Sequence, residues 1–393
     1  MKKERFLIYS TVFLIMGLSN SIIPVLPEIA SASLVESGTI AYTLLFSGYF
    51  IGALLTLIPF GLLADRFDHM KLIVFAVALT TLSGIMLILT ENTFIMILAR
   101  LLEGAACGAF FPPAYAILAE FNKRKQYLGE FNFLLNAGLA TGTITAGFLA
   151  GGLLKGAIVL FTALAVLIFS TAIIMNWIHR TNLYSNIDKD ENKIMKNNFS
   201  KTGRTKSTLS IKNEAKKVLK IALDPDYFKT WFITFFIFGI TGVMLVYYPQ
   251  YSSNMLSKPE LGIVIAIVYI SSMATNLIAG RSKVGYGKMI SSGIILASLG
   301  ILTSIWFPFT GFTLLGIGSG MGMIGLPVAV SFMNTDKGLR MGIFTTYTYM
   351  GLAFLPMIAG YLINYGYQTM FIVTSIFMIL TLLLRGNVQK NVR

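Results

Sequence analysis

An all-α protein crossing a membrane twelve times is the fold class this sequence predicts, and three observations predict it. Of 393 residues, 55% are hydrophobic and only 12% charged, with a mean hydropathy of +0.73. Soluble domains carry about a quarter charged residues. Runs of about 18 or more apolar residues, long enough to cross a hydrocarbon core of ~30 Å as a helix, recur twelve times. The two halves also repeat. A shift of 213 positions lays GEFNFLLNAGLATGTITAG (129–147) over GIFTTYTYMGLAFLPMIAG (342–360) with seven identities: Gly129/Gly342, Phe131/Phe344, Gly138/Gly351, Leu139/Leu352, Ala140/Ala353, Ala146/Ala359 and Gly147/Gly360. Two six-helix pseudo-repeats produce such symmetry, as in transporters built from parallel repeats around a central site.

The spans follow in order, each ended by charge or a polar turn. Span 1 (6–27) runs from Lys2, Lys3 and Arg5 to Glu28. Span 2 (38–60) begins after Glu36 and stops before Asp65, Arg66 and Lys71. Span 3 (72–90) lies between Lys71 and Glu91, and span 4 (93–118) ends before Glu120 and Lys123. Span 5 (129–152) precedes Lys155, and span 6 (157–178) runs into a polar stretch. Spans 7 (229–250), 8 (259–279), 9 (289–306), 10 (308–333), 11 (343–364) and 12 (366–384) complete the second half. The domains read as 1–178, a linker at 179–228, and 229–393.

The net charge of +14 is distributed by topology. Of 31 Lys and Arg, Lys155 and Lys258 fall on one side and Arg100 within the membrane, which leaves 28 on the other side. Basic loops stay in the cytoplasm, so both termini and the linker are expected there, and a nucleic-acid partner is not. Within the linker, NKIMKNNFSKTGRTKSTLS reads as flexible. LSIKNEAKKVLKIAL places apolar residues opposite lysines, as in a helix lying on the lipid surface. The first apolar run exceeds the ~7–15 residues of a signal peptide core. One cysteine excludes a disulfide framework, and two histidines exclude a histidine-based metal site.

The loop GLLADRFDHMK (61–71) places Asp65 just before a helix, where a carboxylate can cap free N–H groups. Gly61 permits close helix approach, and Arg66 and Lys71 hold the loop in the cytoplasm. It resembles the signature loop G-x-x-x-D-R-x-G-R-K of the major facilitator superfamily, with Asp68 at the Gly position and His69 at an Arg position. IAGRSKVGYGK (278–288) is a degraded second copy, with Ser282 at the Asp position and Gly285 at the Gly position. RLLEGAACGA (100–109) resembles the fourth-helix motif R-x-x-Q-G, with Glu103 for Gln. GLATGTITAG (138–147) resembles the antiporter motif G-x-x-x-G-P-x-x-G-G at Gly138, Gly142 and Gly147, with Thr143 for Pro and Ala146 for Gly. PVLP (24–27) is similar to span one of the twelve-helix drug:proton antiporters. The resemblance implies a monomer that exports by alternating access and a gating loop that locks the cytoplasmic side in the outward-facing state.

Arg100 and Glu103 interrupt the apolar run of span 4. At 1.5 Å per residue they lie roughly 10 and 15 Å deep, where an ion costs at least ~2.5–3.5 kcal/mol and marks function. Their i, i+3 spacing puts them on one helix face. Burial favours a protonated Glu103, and the guanidinium favours an ionised one. A proton-carrying carboxylate modulated by Arg100, a permanent structural pair, and an Arg100 that binds substrate directly are the readings open at this point. No other acid lies near mid-membrane.

In the family architecture, Asn20, Tyr42, Asn136, Tyr247, Asn276 and Tyr347 are cavity candidates, with Tyr49, Tyr248, Gln250, Tyr269, Asn334 and Tyr349 behind them. Apolar and aromatic walls with few polar groups suit amphipathic compounds better than hexoses. GIGSGMGMIG (316–325) follows no strand, and no G-x-x-x-x-G-K-[ST] is present, so ATP is not expected. No nucleophile–base set suggests an enzyme. The expected function is proton-coupled efflux of drugs or a secreted metabolite such as a siderophore, with small molecules, protons and lipid as partners and no cofactor. Uptake of a sugar or organic anion, and a non-transporting membrane sensor or scaffold, are the alternatives.

Overall fold

The computed structural model describes residues 2–31, 38–64, 67–121, 124–190, 221, 224–279, 281–332 and 337–383. These residues form helices joined by short turns, with no strand among them. Ten helices among them have the length and apolarity to cross a membrane. The two expected spans outside that set have physical reasons for missing it. Span 5 is a helix, Arg124–Leu149, but it carries Asn136, Thr141, Thr143 and Thr145. Each returns its polar group to a carbonyl of its own helix: Asn136 to Asn132 at 2.9 Å, Thr141 to Ala137 at 2.7 Å, Thr143 to Ala140 at 2.9 Å, and Thr145 to Thr141. A helix so satisfied tolerates an apolar solvent. Span 12 is the shorter apolar helix Tyr367–Leu383.

Proline and glycine shape the ends. Span 1 runs as a helix over Lys2–Asn20, passes through a 3-10 turn at Ile23–Val25 with Pro24 in it, and resumes over Leu26–Ser31. Span 11, Lys337–Ala359, tightens into a 3-10 turn at Gly360–Tyr365. Gly366, at φ +96°, then turns the chain into span 12, in a region open to glycine at little cost. The span 6 helix continues to Asp190, past the end expected at 178. The proposed surface helix lies almost wholly outside the described residues.

Packing reproduces the repeat. Span 2 packs on span 4 as span 8 packs on span 10, span 3 on 4 as 9 on 10, and span 1 on 5 as 7 on 11. The halves meet through spans 5 and 8 and through spans 2 and 11, the same pair once the repeat is applied. Gly138 and its repeat partner Gly351 show why: an added Cβ would overlap the Phe13 carbonyl of span 1 in one and the Phe235 carbonyl of span 7 in the other. Spans 1 and 7 are the most enclosed, with 78% and 83% of their apolar windows buried against 33% for span 6.

Among the described residues, the polar contacts between the halves gather toward one end. Gly147 of span 5 lies on Lys258 and Gly262 of span 8, and Lys258 pairs with Glu28 and donates to the Pro24 carbonyl at 3.0 Å. At the other end Gly61, Gly129 and Gly342 face open space. Gly61 therefore makes no close helix approach among the described residues.

Candidate functional site

Glycine brings span 4, Thr93–Glu120, onto span 2, Gly38–Ala64. An added Cβ at Gly104 would overlap the Tyr49 carbonyl oxygen, at Gly52 that of Leu101, and at Gly108 the Thr56 hydroxyl. This backbone contact sets span 2 directly over Arg100 and Glu103. Arg100 Nη1 lies 2.6 Å from Glu103 Oε2, with the two side chains 2% and 0% exposed. Arg100 Nε donates to the Leu45 carbonyl at 3.0 Å, and the guanidinium lies 5.2 Å from the centroid of the Tyr49 ring. The cation is thus held from its edge and its face.

Glu103 is less complete. Its Oε1 is buried and accepts no hydrogen bond, although a buried acceptor without a donor is costly. It is the one buried acidic residue among the described residues. Geometry realises the i, i+3 pairing expected from sequence. The pairing by itself fits both a permanent structural pair and a titrating one, but the unused oxygen is the place a proton, a water or a substrate donor can occupy.

The cavity candidates are divided among different tasks. Tyr42 donates to the Val246 carbonyl of span 7. Tyr247 donates to the Pro356 carbonyl at 2.7 Å and bonds the Thr43 hydroxyl at 2.8 Å. With Ser47 donating to Ala353 at 2.7 Å, they form the closed seam between the halves. Asn136 bonds its own helix. Asn20 donates to the Leu139 carbonyl at 3.3 Å and bonds the Tyr269 hydroxyl. Tyr347 stacks on Trp231 at 5.7 Å. Asn276 keeps a buried Oδ1 without a donor and is the candidate most open to a ligand.

Sequence reasoning missed the link beneath the pair. The Tyr49 hydroxyl donates to Cys107 Sγ at 3.2 Å, and Cys107 lies 3.8 Å from the Tyr349 hydroxyl of span 11. The i, i+4 step from Glu103 to Cys107 was the available signal.

In the gating loop, Asp65 and Arg66 lie outside the described residues, and Lys71 is exposed. The cap of span 3 is Asp68, whose Oδ1 accepts from Met70 N at 2.9 Å. The residue that departs from the signature therefore does the capping expected of Asp65. The antiporter-like glycines are contact points: Gly138 and Gly142 lie on the span 1 backbone at Phe13 and Gly17, and Gly147 lies on span 8.

A family model described as Major Facilitator Superfamily matches residues 6–331 and 230–390. Multidrug resistance protein 2 of Bacillus subtilis (strain 168) is 25% identical over 94% of this chain and 90% of its own length. The quinolone resistance protein NorA of Staphylococcus aureus is 27% identical over 38% of this chain and 39% of its own. Among solved structures, a bacterial homolog of the human lysosomal transporter Spinster, inward-facing and occupied, superposes with TM-score 0.73 at 11% identity over 99% of this chain and 97% of its own. The nucleoside transporter NupG superposes with TM-score 0.73 at 12% identity over 99% of this chain and all of its own. With its twelve-span fold in two repeats and a family model matched along nearly its whole length, the chain belongs to the Major Facilitator Superfamily and is a multi-pass membrane transporter of small molecules.

Proposed function

We propose that this transporter is a proton-coupled exporter of small amphipathic compounds, drugs or a secreted metabolite such as a siderophore. Glu103 carries the proton and Arg100 sets its affinity. The observation that carries this reading is the buried carboxylate with one oxygen on Arg100 and the other unpartnered. A pair fully satisfied on both sides would have no place for a proton to arrive. The names of two relatives, multidrug resistance protein 2 and quinolone resistance protein NorA, support export.

The basic faces put both termini in the cytoplasm, and the closed seam of Glu28, Lys258, Tyr42 and Tyr247 then lies outside. On that orientation the structure is the inward-open state. Rocking of residues 1–178 against 229–385 opens the seam, and the loop carrying Gly61, Asp65, Arg66 and Lys71 closes the cytoplasmic side. Uptake of an organic anion bound by Arg100 is the weaker reading, since Glu103 and the Leu45 carbonyl already take two of its five donors and the Tyr49 ring lies on its face.

The test uses purified protein in liposomes holding a pH dye, with candidate cationic dyes and metal-chelating metabolites added under an imposed pH gradient. Substrate-dependent proton movement that is lost in Glu103→Gln supports the proposal. Equal movement in both proteins sinks it, and transport without proton movement in either selects a facilitator.

A further inference from the structure

A polar chain joins the buried pair to the second half, and the transport reading leaves it unused. The Tyr49 ring faces the Arg100 guanidinium, its hydroxyl donates to Cys107 Sγ, and Cys107 lies within hydrogen-bond reach of the Tyr349 hydroxyl. Tyr49 and Cys107 are 4% and 0% exposed, and Tyr349 is half-buried. The Tyr349 ring also lies 6.0 Å from that of Phe50, beside Tyr49 on span 2. The cross-half bonds of span 2, from Tyr42, Thr43 and Ser47, lie nearer the closed end. Among the described residues, the contact of Cys107 on span 4 with Tyr349 on span 11 lies further from that end.

We propose that Tyr349 is a positioning residue for coupling: through Cys107 and Tyr49 it ties the Arg100–Glu103 pair to the second half, so the geometry of the pair depends on whether the halves are closed on each other. The inference rests on the proton-coupled reading above. Around Glu103 the titratable groups are Arg100 and Cys107 on its own helix, with Tyr115 of that helix beside Cys107, Tyr49 from span 2, and Tyr349 from span 11 beyond Cys107. Tyr349 is the one contributed by the other half. When span 11 withdraws, Cys107 loses that partner, the Tyr49 hydroxyl loses its fixed direction, and the ring under Arg100 is released. Opening of the seam and loosening of the ion pair become a single event, which alternating access with a bound proton requires.

The test exploits Cys107 as the sole cysteine of the chain. Tyr349→Phe keeps the ring against Phe50 and removes only the hydroxyl. In liposomes it is expected to lower substrate-driven proton movement about three- to tenfold, the worth of one hydrogen bond, and to move the pH midpoint of that movement. Tyr49→Phe should do the same, and the double variant no more than either alone, because both interrupt one chain. An unchanged pH midpoint in Tyr349→Phe, or additive losses, overturns the proposal. If the wild type moves no protons with any compound, the transport reading fails instead. The rate at which a membrane-permeant maleimide labels Cys107, which needs no transport, then decides the tie. Faster labelling in Tyr349→Phe supports it, and equal rates overturn it.

Discussion

The two halves share a scaffold and differ in what it carries. In span 4, Gly104 and Gly108 press onto span 2; in span 10, Pro308–Ser331, Gly316 and Gly320 press onto Val268 and Ser272 of span 8. Matching these glycine pairs sets Phe312 and Leu315 where the first half has Arg100 and Glu103. Phe312 and Leu315 are 0% and 1% exposed, and Phe312 packs against Tyr248 with ring centroids 4.6 Å apart. One half thus spends this position on a charged pair and the other on apolar packing. Buried ion pairs are weak contributors to stability, which agrees with the coupling role proposed for this one.

The largest effect that probes this contrast comes from breaking the pair on one side. Arg100→Met leaves Glu103 buried without its partner, and a loss of about 3–5 kcal/mol is expected, read as a lowered melting temperature in detergent. Copying the second half with Arg100→Phe and Glu103→Leu together should restore most of that stability. A double variant as unstable as Arg100→Met would break the comparison.

Next come the glycines. Gly104→Ala and Gly316→Ala each push a methyl into the backbone of the facing span, and overpacking of this kind costs about 1–3 kcal/mol. Similar losses in thermal melts of the two variants would confirm a shared scaffold, and a tolerated change in either half would show that the contact is not shared. The helix caps give a smaller contrast. Asp68 caps span 3, whereas its counterpart Gly285 opens span 9, Tyr286–Ser304, with no side-chain bond. Asp68→Ala should cost about 0.5–2 kcal/mol, and Gly285→Asp should return part of that amount to the second half. A destabilising Gly285→Asp would refute the equivalence. The smallest effect is expected at the seam. Glu28 and Lys258 are partly exposed, so Lys258→Met should alter stability little and shift the halves modestly toward opening. Spin-label distances across the seam would read this shift, and an unchanged distribution would remove the pair from the gate.

Much of this was legible in the sequence. The spans follow from apolar length, and the equivalence of spans 5 and 11 from the Gly138/Gly351 register. The Arg100–Glu103 contact follows from helical spacing alone. Partners far apart in sequence were not legible. Tyr42 and Tyr247 were expected along a cavity because they are polar groups in inner spans. Their partners, Val246, Thr43 and Pro356, become neighbours only when the halves close at that end. Gly61 has no neighbour within reach of an added Cβ. Asn136 donates to the Asn132 carbonyl one turn back, a contact within its own helix. Residue spacing reads contacts within a helix well, and it reads contacts between moving bodies only once their position is known.

The most direct test of the central claim, that the proton site exists in one half alone, is substrate-driven proton movement by the Arg100→Phe, Glu103→Leu variant in pH-dye liposomes. The account predicts a folded, membrane-inserted protein that still binds substrate and moves no protons. Proton movement at the wild-type rate would contradict it and place the coupling carboxylate elsewhere in the chain.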